Sequence, residues 1–175
     1  MMPAPIDTRW STTRMHPSDT ATAANEAVHA LLLEACEQFL EAVTRLDDEA
    51  MRARLARFTA QLDRHMRFEE DVAVVLLLDL APESADEIAR IEGDHRILVR
   101  CVAAARRLMD ELAVSDAPRR TLVRRLGELN RLREVLEHHT LRESEHFYPL
   151  LDRRLDEPTR RDLAMRLDGQ CAELD

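Results

Sequence analysis

Two stretches of the chain repeat one chemical pattern. His65-Met66-Arg67-Phe68-Glu69 and His139-Thr140-Leu141-Arg142-Glu143 each place a histidine four residues before a glutamate. On a helix that spacing sets an imidazole and a carboxylate on one face, about one turn apart. The pair then offers a metal ion one nitrogen and one oxygen donor from the same side. Two further histidines, His29 and His95, interrupt runs of apolar residues at helical spacing. Singly, each histidine is adequately explained as a hydrogen-bonded core residue. Whether the six groups act together depends on the elements that position them.

The composition says what those elements are. The 175 residues include only three glycines and 3 % aromatic residues, while Ala, Leu, Arg and Glu abound, which is the make-up of a helical protein and not of a sandwich of short strands. The length suits one compact domain with a sizeable core. Net charge is −9 and every basic residue is arginine, so a phosphate-binding groove, and with it nucleic acid, is a poor expectation. Cys36, Cys101 and Cys171 are odd in number, widely spaced and free of any CxxC pattern. That argues against a disulfide framework or a thiolate zinc site and suits a reducing cytoplasm. No segment reads as a signal peptide or a membrane span, and residues 1–21 read as a loose arm.

Four amphipathic stripes follow. Residues from about 23 to 46 turn His29, Leu32, Leu33, Cys36, Phe39, Leu40, Val43 and Leu46 to one side. Residues from about 50 to 80 do so with Leu55, Phe58, Leu62, His65, Glu69, Val72 and Leu76. Pro82 suits the first position of a third helix, whose stripe is Ile88, Ile91, His95, Leu98, Val102, Ala105 and Leu112. Asp116 reads as the N-cap of a fourth, carrying Leu122, Leu129, Leu132, Leu136, His139, Glu143 and Leu150. Pro149 is expected to kink or end it, and Asp156 with Pro158 to start a short terminal helix through about residue 167. Short links make the economical architecture an all-α, antiparallel up-down-up-down four-helix bundle over residues 22–170, with a tail at 171–175.

Antiparallel neighbours face each other at equal distances from the turn that joins them. With turns near Asp48, Ala81 and Asp116, successive histidines lie 19 and 17, 16 and 14, and 21 and 23 residues from the intervening turn. Each mismatch is about 3 Å at roughly 1.5 Å per residue, so the four histidines share one level. Glu69 and Glu143 join them there, on parallel helices two and four. Buried carboxylates cost several kcal/mol unless paired or metal-bound, and no arginine is in phase beside either. Metal is the best counter-charge. Four imidazoles and two carboxylates make a dinuclear site suited to iron or manganese, with zinc also acceptable.

The order His29, His65/Glu69, His95, His139/Glu143 over four helices, with HTLRESEHFYP closing the fourth, resembles the hemerythrin-like HHE cation-binding family. The resemblance spans about residues 23–167. It implies a non-haem di-iron centre held by those six residues, with a bridging oxo or hydroxo group. The chain departs from oxygen-carrying hemerythrins at Val99, where they have a further histidine, and in using a glutamate four residues on where they have an aspartate at five. It resembles the four-histidine branch instead, although Ser144 stands where a second acid is common. Of about twelve positions on two octahedral ions, these donors and a bridge fill roughly ten. The open remainder implies binding or sensing of dioxygen, peroxide or nitric oxide, with peroxide consumption or an oxidase side activity also open.

His146 is in phase with the fourth stripe and a candidate partner for a liganding carboxylate. His138 lies roughly 100° around the helix and reads as a flank residue, otherwise as an outer partner or substitute ligand. Glu70, beside Glu69, is a further outer candidate. Tyr148 reads as out of phase, an anchor for the terminal helix, with a hydrogen bond to bound ligand as the other reading. His16 in the arm reads as solvated. Competing readings are iron handling, storage or repair of iron centres, and a metal-free helical interaction module. Expected partners are a diatomic ligand or peroxide, neither nucleic acid nor membrane; a protein partner or a homodimer stays open.

Overall fold

The structure, a computed structural model, describes residues 20–174. The arm read over residues 1–21, with His16, lies outside the described residues except for its last two positions. Helix α1 spans Ala21–Arg45 and is capped by the Thr20 hydroxyl, which accepts from the Ala23 amide. It ends at Leu46, whose φ of 55° turns the chain in the left-handed region. Asp47 caps α2, Asp48–Phe68, through the Ala50 amide. After Ala81, Pro82 opens a single 3-10 turn, Pro82–Ser84, and α4 runs over Ala85–Ala113. Helix α5 spans Pro118–Arg142. Its N-cap position is Ala117 and not Asp116; the Ser115 hydroxyl accepts the Ala117 amide in that turn.

Neither helix that carries a His–Glu pair is one uninterrupted α-helix. In each, a π-turn begins at the glutamate: Glu69–Ala73 leads into α3, Val74–Leu80, and Glu143–Phe147 into α6, Tyr148–Arg154. The Val74 amide reaches back five residues to the Glu69 carbonyl, and the Tyr148 amide to the Glu143 carbonyl. Pro149 therefore does not end the fourth rod. It sits in the first turn of α6, where its missing N–H is tolerated, and the widened turn before it accommodates its ring.

Helix α1 packs against α2 and α5, and α4 against α2 and α5, which closes the four-membered bundle. The last helix, α7, is longer than the sequence suggested. It runs over Glu157–Leu174, is capped by Asp156 through the Thr159 amide, and packs along α1. Cys171, placed in the tail by sequence, is buried with Cys36, Phe39, Leu62 and Leu108 in one apolar cluster. A second cluster, around Leu77, Ile91, Phe147, Leu151 and Leu167, fills the other end of the bundle. Between them lies a polar layer of His29, His65, Glu69, His95, His139 and Glu143, all buried. Among the described residues there is no strand, and no helix is long and apolar enough to cross a membrane.

Candidate metal centre

The level worked out by counting residues is a physical layer. Imidazole centroids lie 5.0 Å apart for His29 and His65, 5.1 Å for His95 and His139, and 6.1 Å for His29 and His139. All four Nε2 atoms turn toward the two carboxylates. Glu143 Oε2 is 3.0 Å from His29 Nε2 and its Oε1 is 3.3 Å from His139 Nε2. Glu69 mirrors this, with Oε1 3.3 Å from His65 Nε2 and Oε2 3.1 Å from His95 Nε2. Each glutamate thus extends one oxygen toward the His29/His65 pair and one toward the His95/His139 pair. Two groups of donors close enough to share an ion result: His29, His65, His139 and Glu143, and Glu69, His95, His139 and Glu143.

The donor set fits a metal better than it fits itself. His29 Nε2 and His65 Nε2 face each other at 3.1 Å, an arrangement in which one ring must donate to the other. Neither nitrogen of His139, nor Glu143 Oε1, nor His65 Nδ1, has a hydrogen-bond partner among the described residues. The 3.3 Å approach of His139 Nε2 to Glu143 Oε1 lacks hydrogen-bond geometry. Such orphans cost free energy in a dry layer, and no arginine is buried among the described residues to neutralise the carboxylates. Unpaired imidazole nitrogens beside carboxylate oxygens are what an N/O-coordinated cation relieves.

Proton positions follow from the same geometry. Burial alone would lower the His95 imidazolium, but the Glu69 and Glu70 carboxylates outweigh it and raise it to about 9. His65 is likewise opposed by burial and raised by Glu69 and Glu143. Burial holds His139 well below its ordinary value, helped by repulsion from the other three rings against the pull of Glu69. Glu143 stays below the usual carboxylate range despite burial, because His29 donates to it at 3.0 Å and the His65 ring lies close by at 3.8 Å.

Three residues outside the six-residue layer touch it. Glu70 Oε1 lies 2.8 Å from His95 Nδ1 and orients that ring while its own side chain stays half exposed. The Tyr148 hydroxyl is fully buried and donates to Glu69 Oε1 at 3.1 Å. Burial and the two carboxylates push its ionisation well above the ordinary value, so it remains a donor. Asn25, on α1 one turn before His29, brings Nδ2 within 3.1 Å of His29 Nε2 and 3.4 Å of Glu143 Oε2.

The reading of Tyr148 as out of phase, and of His146 as in phase, is thus reversed, for one reason. The π-turn at Glu143 adds a residue to the turn, so the position five residues on takes the inward place that four residues would hold in a continuous α-helix. His146 is rotated to the exposed face. His138 is also exposed, with Arg142 at 2.8 Å from its Nε2, so neither contacts the layer. Asn25 was not singled out by sequence, although a polar residue four before His29 on the same stripe was its visible signal.

The α1 end of the layer is held from outside. Asp152 on α6 accepts from the Ala21 and Thr22 amides at 2.9 and 3.0 Å and from the Thr22 hydroxyl at 2.6 Å. This borrowed cap fixes the first turn of α1 at the end that carries Asn25 and His29.

Among known proteins, the family model of the hemerythrin HHE cation binding domain matches residues 20–151, more than half of the chain, and all six layer residues fall within it. Helix α7 lies beyond the matched span. No curated protein and no solved structure matches the chain.

Proposed function

Since the chain belongs to the hemerythrin HHE cation-binding family, we propose that its layer holds a pair of iron ions that binds or senses dioxygen, nitric oxide or peroxide. The observation that carries this reading is the double reach of Glu69 and Glu143, each with one oxygen toward each histidine pair. Iron bound there supplies a redox-active Lewis acid able to pass between diferrous and diferric states. Manganese or zinc suits the same donors without that change of state.

The chain's own residues do the rest. His29 and His65 bind on one side and His95 and His139 on the other, with the glutamates between. Tyr148 and Asn25 hold the carboxylates to their rotamers through the 3.1 and 3.4 Å contacts. Glu70 fixes the His95 ring so that Nε2 faces inward. The two apolar clusters exclude water from above and below the layer.

The test is the metal content of full-length protein purified without oxygen, followed by its absorption spectrum as air is admitted. About two irons per chain and new near-ultraviolet charge-transfer bands support the reading. Iron that loads without any spectral response to dioxygen or nitric oxide overturns the gas-binding part. Failure to take up metal on reconstitution overturns the whole of it.

A further inference from the structure

The layer has two unlike flanks. Between α2 and α4 a groove of about 400 Å³ ends at His95, and charged side chains line it: Asp63, Arg67, Glu70, Arg96 and Arg100. Between α1 and α5 a groove of about 410 Å³ ends at His29, and its accessible wall is almost wholly apolar, formed by Ala30, Leu33 and Leu141. Leu141 is 53 % exposed there. Thr140 and Ser144 line the same groove beside His29.

The difference goes back to a single position. One residue past Glu69 stands Glu70, whose carboxylate reaches His95 Nδ1. One residue past Glu143 stands Ser144, too short to cover His29 in the same way. The place that an acid fills on one flank is therefore left small on the other.

We propose that the α1–α5 groove is the port by which uncharged molecules of diatomic size reach the layer, with Ser144 and Thr140 at its inner end. This rests on the gas-binding reading above. Apolar walls favour dioxygen and nitric oxide over water. Glu26 and Glu137, both exposed, also border the groove; their charge disfavours anions of similar size.

The experiment uses the full chain and has two arms. In the first, methyl resonances are followed under xenon pressure, xenon being an apolar probe of suitable size. Ala30, Leu33, Thr140 and Leu141 shift while Val99, which lines the charged groove, does not. Shifts at Val99 alone, or at none of these methyls, overturn the port.

In the second arm, Ala30→Phe fills the groove from an exposed position, and Leu141→Ala widens it. Nitric oxide association with reduced, iron-loaded protein slows by about tenfold in the first variant, the factor for about 1.4 kcal/mol of added barrier. It quickens in the second, and iron content stays equal in both. Val99→Phe on the other flank leaves the rate unchanged. A rate indifferent to Ala30→Phe, or slowed equally by Val99→Phe, overturns the proposal. Should the wild-type protein bind no nitric oxide, the gas-binding reading fails, while the xenon arm still decides the route.

Discussion

Replacing Tyr148 by phenylalanine removes one oxygen from the centre of the molecule and nothing else. The ring is fully buried against Phe147, with centroids 5.2 Å apart, so the packing survives the change. What is lost is the 3.1 Å bond to Glu69 Oε1, a fully buried carboxylate oxygen whose other neighbour is His65 Nε2 at 3.3 Å. A hydrogen bond to a charged group contributes about 1.5–3 kcal/mol. Metal-free Tyr148→Phe should therefore unfold about 4–8 °C below wild type, from roughly 2 kcal/mol and 2–4 °C per kcal/mol at this chain length. A thermal unfolding scan followed by circular dichroism reads the shift directly. A double-mutant cycle with Glu69→Ala, which removes the acceptor oxygen, isolates the pair and should return a coupling of about 1.5–3 kcal/mol. A coupling near zero would mean that the π-turn does not aim the hydroxyl at Glu69 and that the phase argument is mistaken.

Other outcomes follow from other parts of the molecule. Metal should raise the unfolding temperature of wild type and of His138→Ala but not of His139→Ala, since only His139 lies in the layer; equal responses in the two variants would contradict the assignment. Asp152→Ala should cost about 2 kcal/mol and speed amide exchange at Ala21 and Thr22, whose protons Asp152 accepts; unchanged exchange there would show that α1 keeps its first turn unaided. Burial, together with the nearby Glu37 carboxylate, pushes the Cys36 thiol up to about 12. Its stabilising contribution is whole below the ordinary thiol value of about 9 and is lost as pH rises through 12, roughly 2 kcal/mol by about pH 10.5. Cys36→Ala should lose correspondingly less stability between pH 8 and that point in denaturant titrations, and an identical slope would count against this.

The bundle and its polar layer were legible because helical phase and turn positions are carried by the sequence itself. His29, His65, His95 and His139 needed only counting from three turns, and the structure brings them together. The outer contacts were not legible in that way. Counting at 3.6 residues per turn holds only while the helix stays α, and both rods change register at the glutamate. Past Glu143 the count pointed His146 inward and Tyr148 outward, and the extra residue exchanges them. Asn25 shares the His29 face, four residues before it, but its contact with Glu143 and the Asp152 cap depend on approach between segments more than a hundred residues apart, which periodicity along one helix cannot encode. The terminal helix was read short because its apolar positions are sparse. Cys171 is buried by packing along α1 and not by any strong stripe of its own.

The sandwich of two apolar clusters around one polar layer bears on the order in which this protein is made. Each cluster is sealed by ordinary side chains from several helices and asks nothing of a cation. Small modules whose only core is a metal must find it before they can fold; this chain can close both ends first, leaving a preshaped slot at its waist. Folding and loading become separate events, set by different rates. Newly made protein then stands intact, its waist shaped for a cation before one arrives.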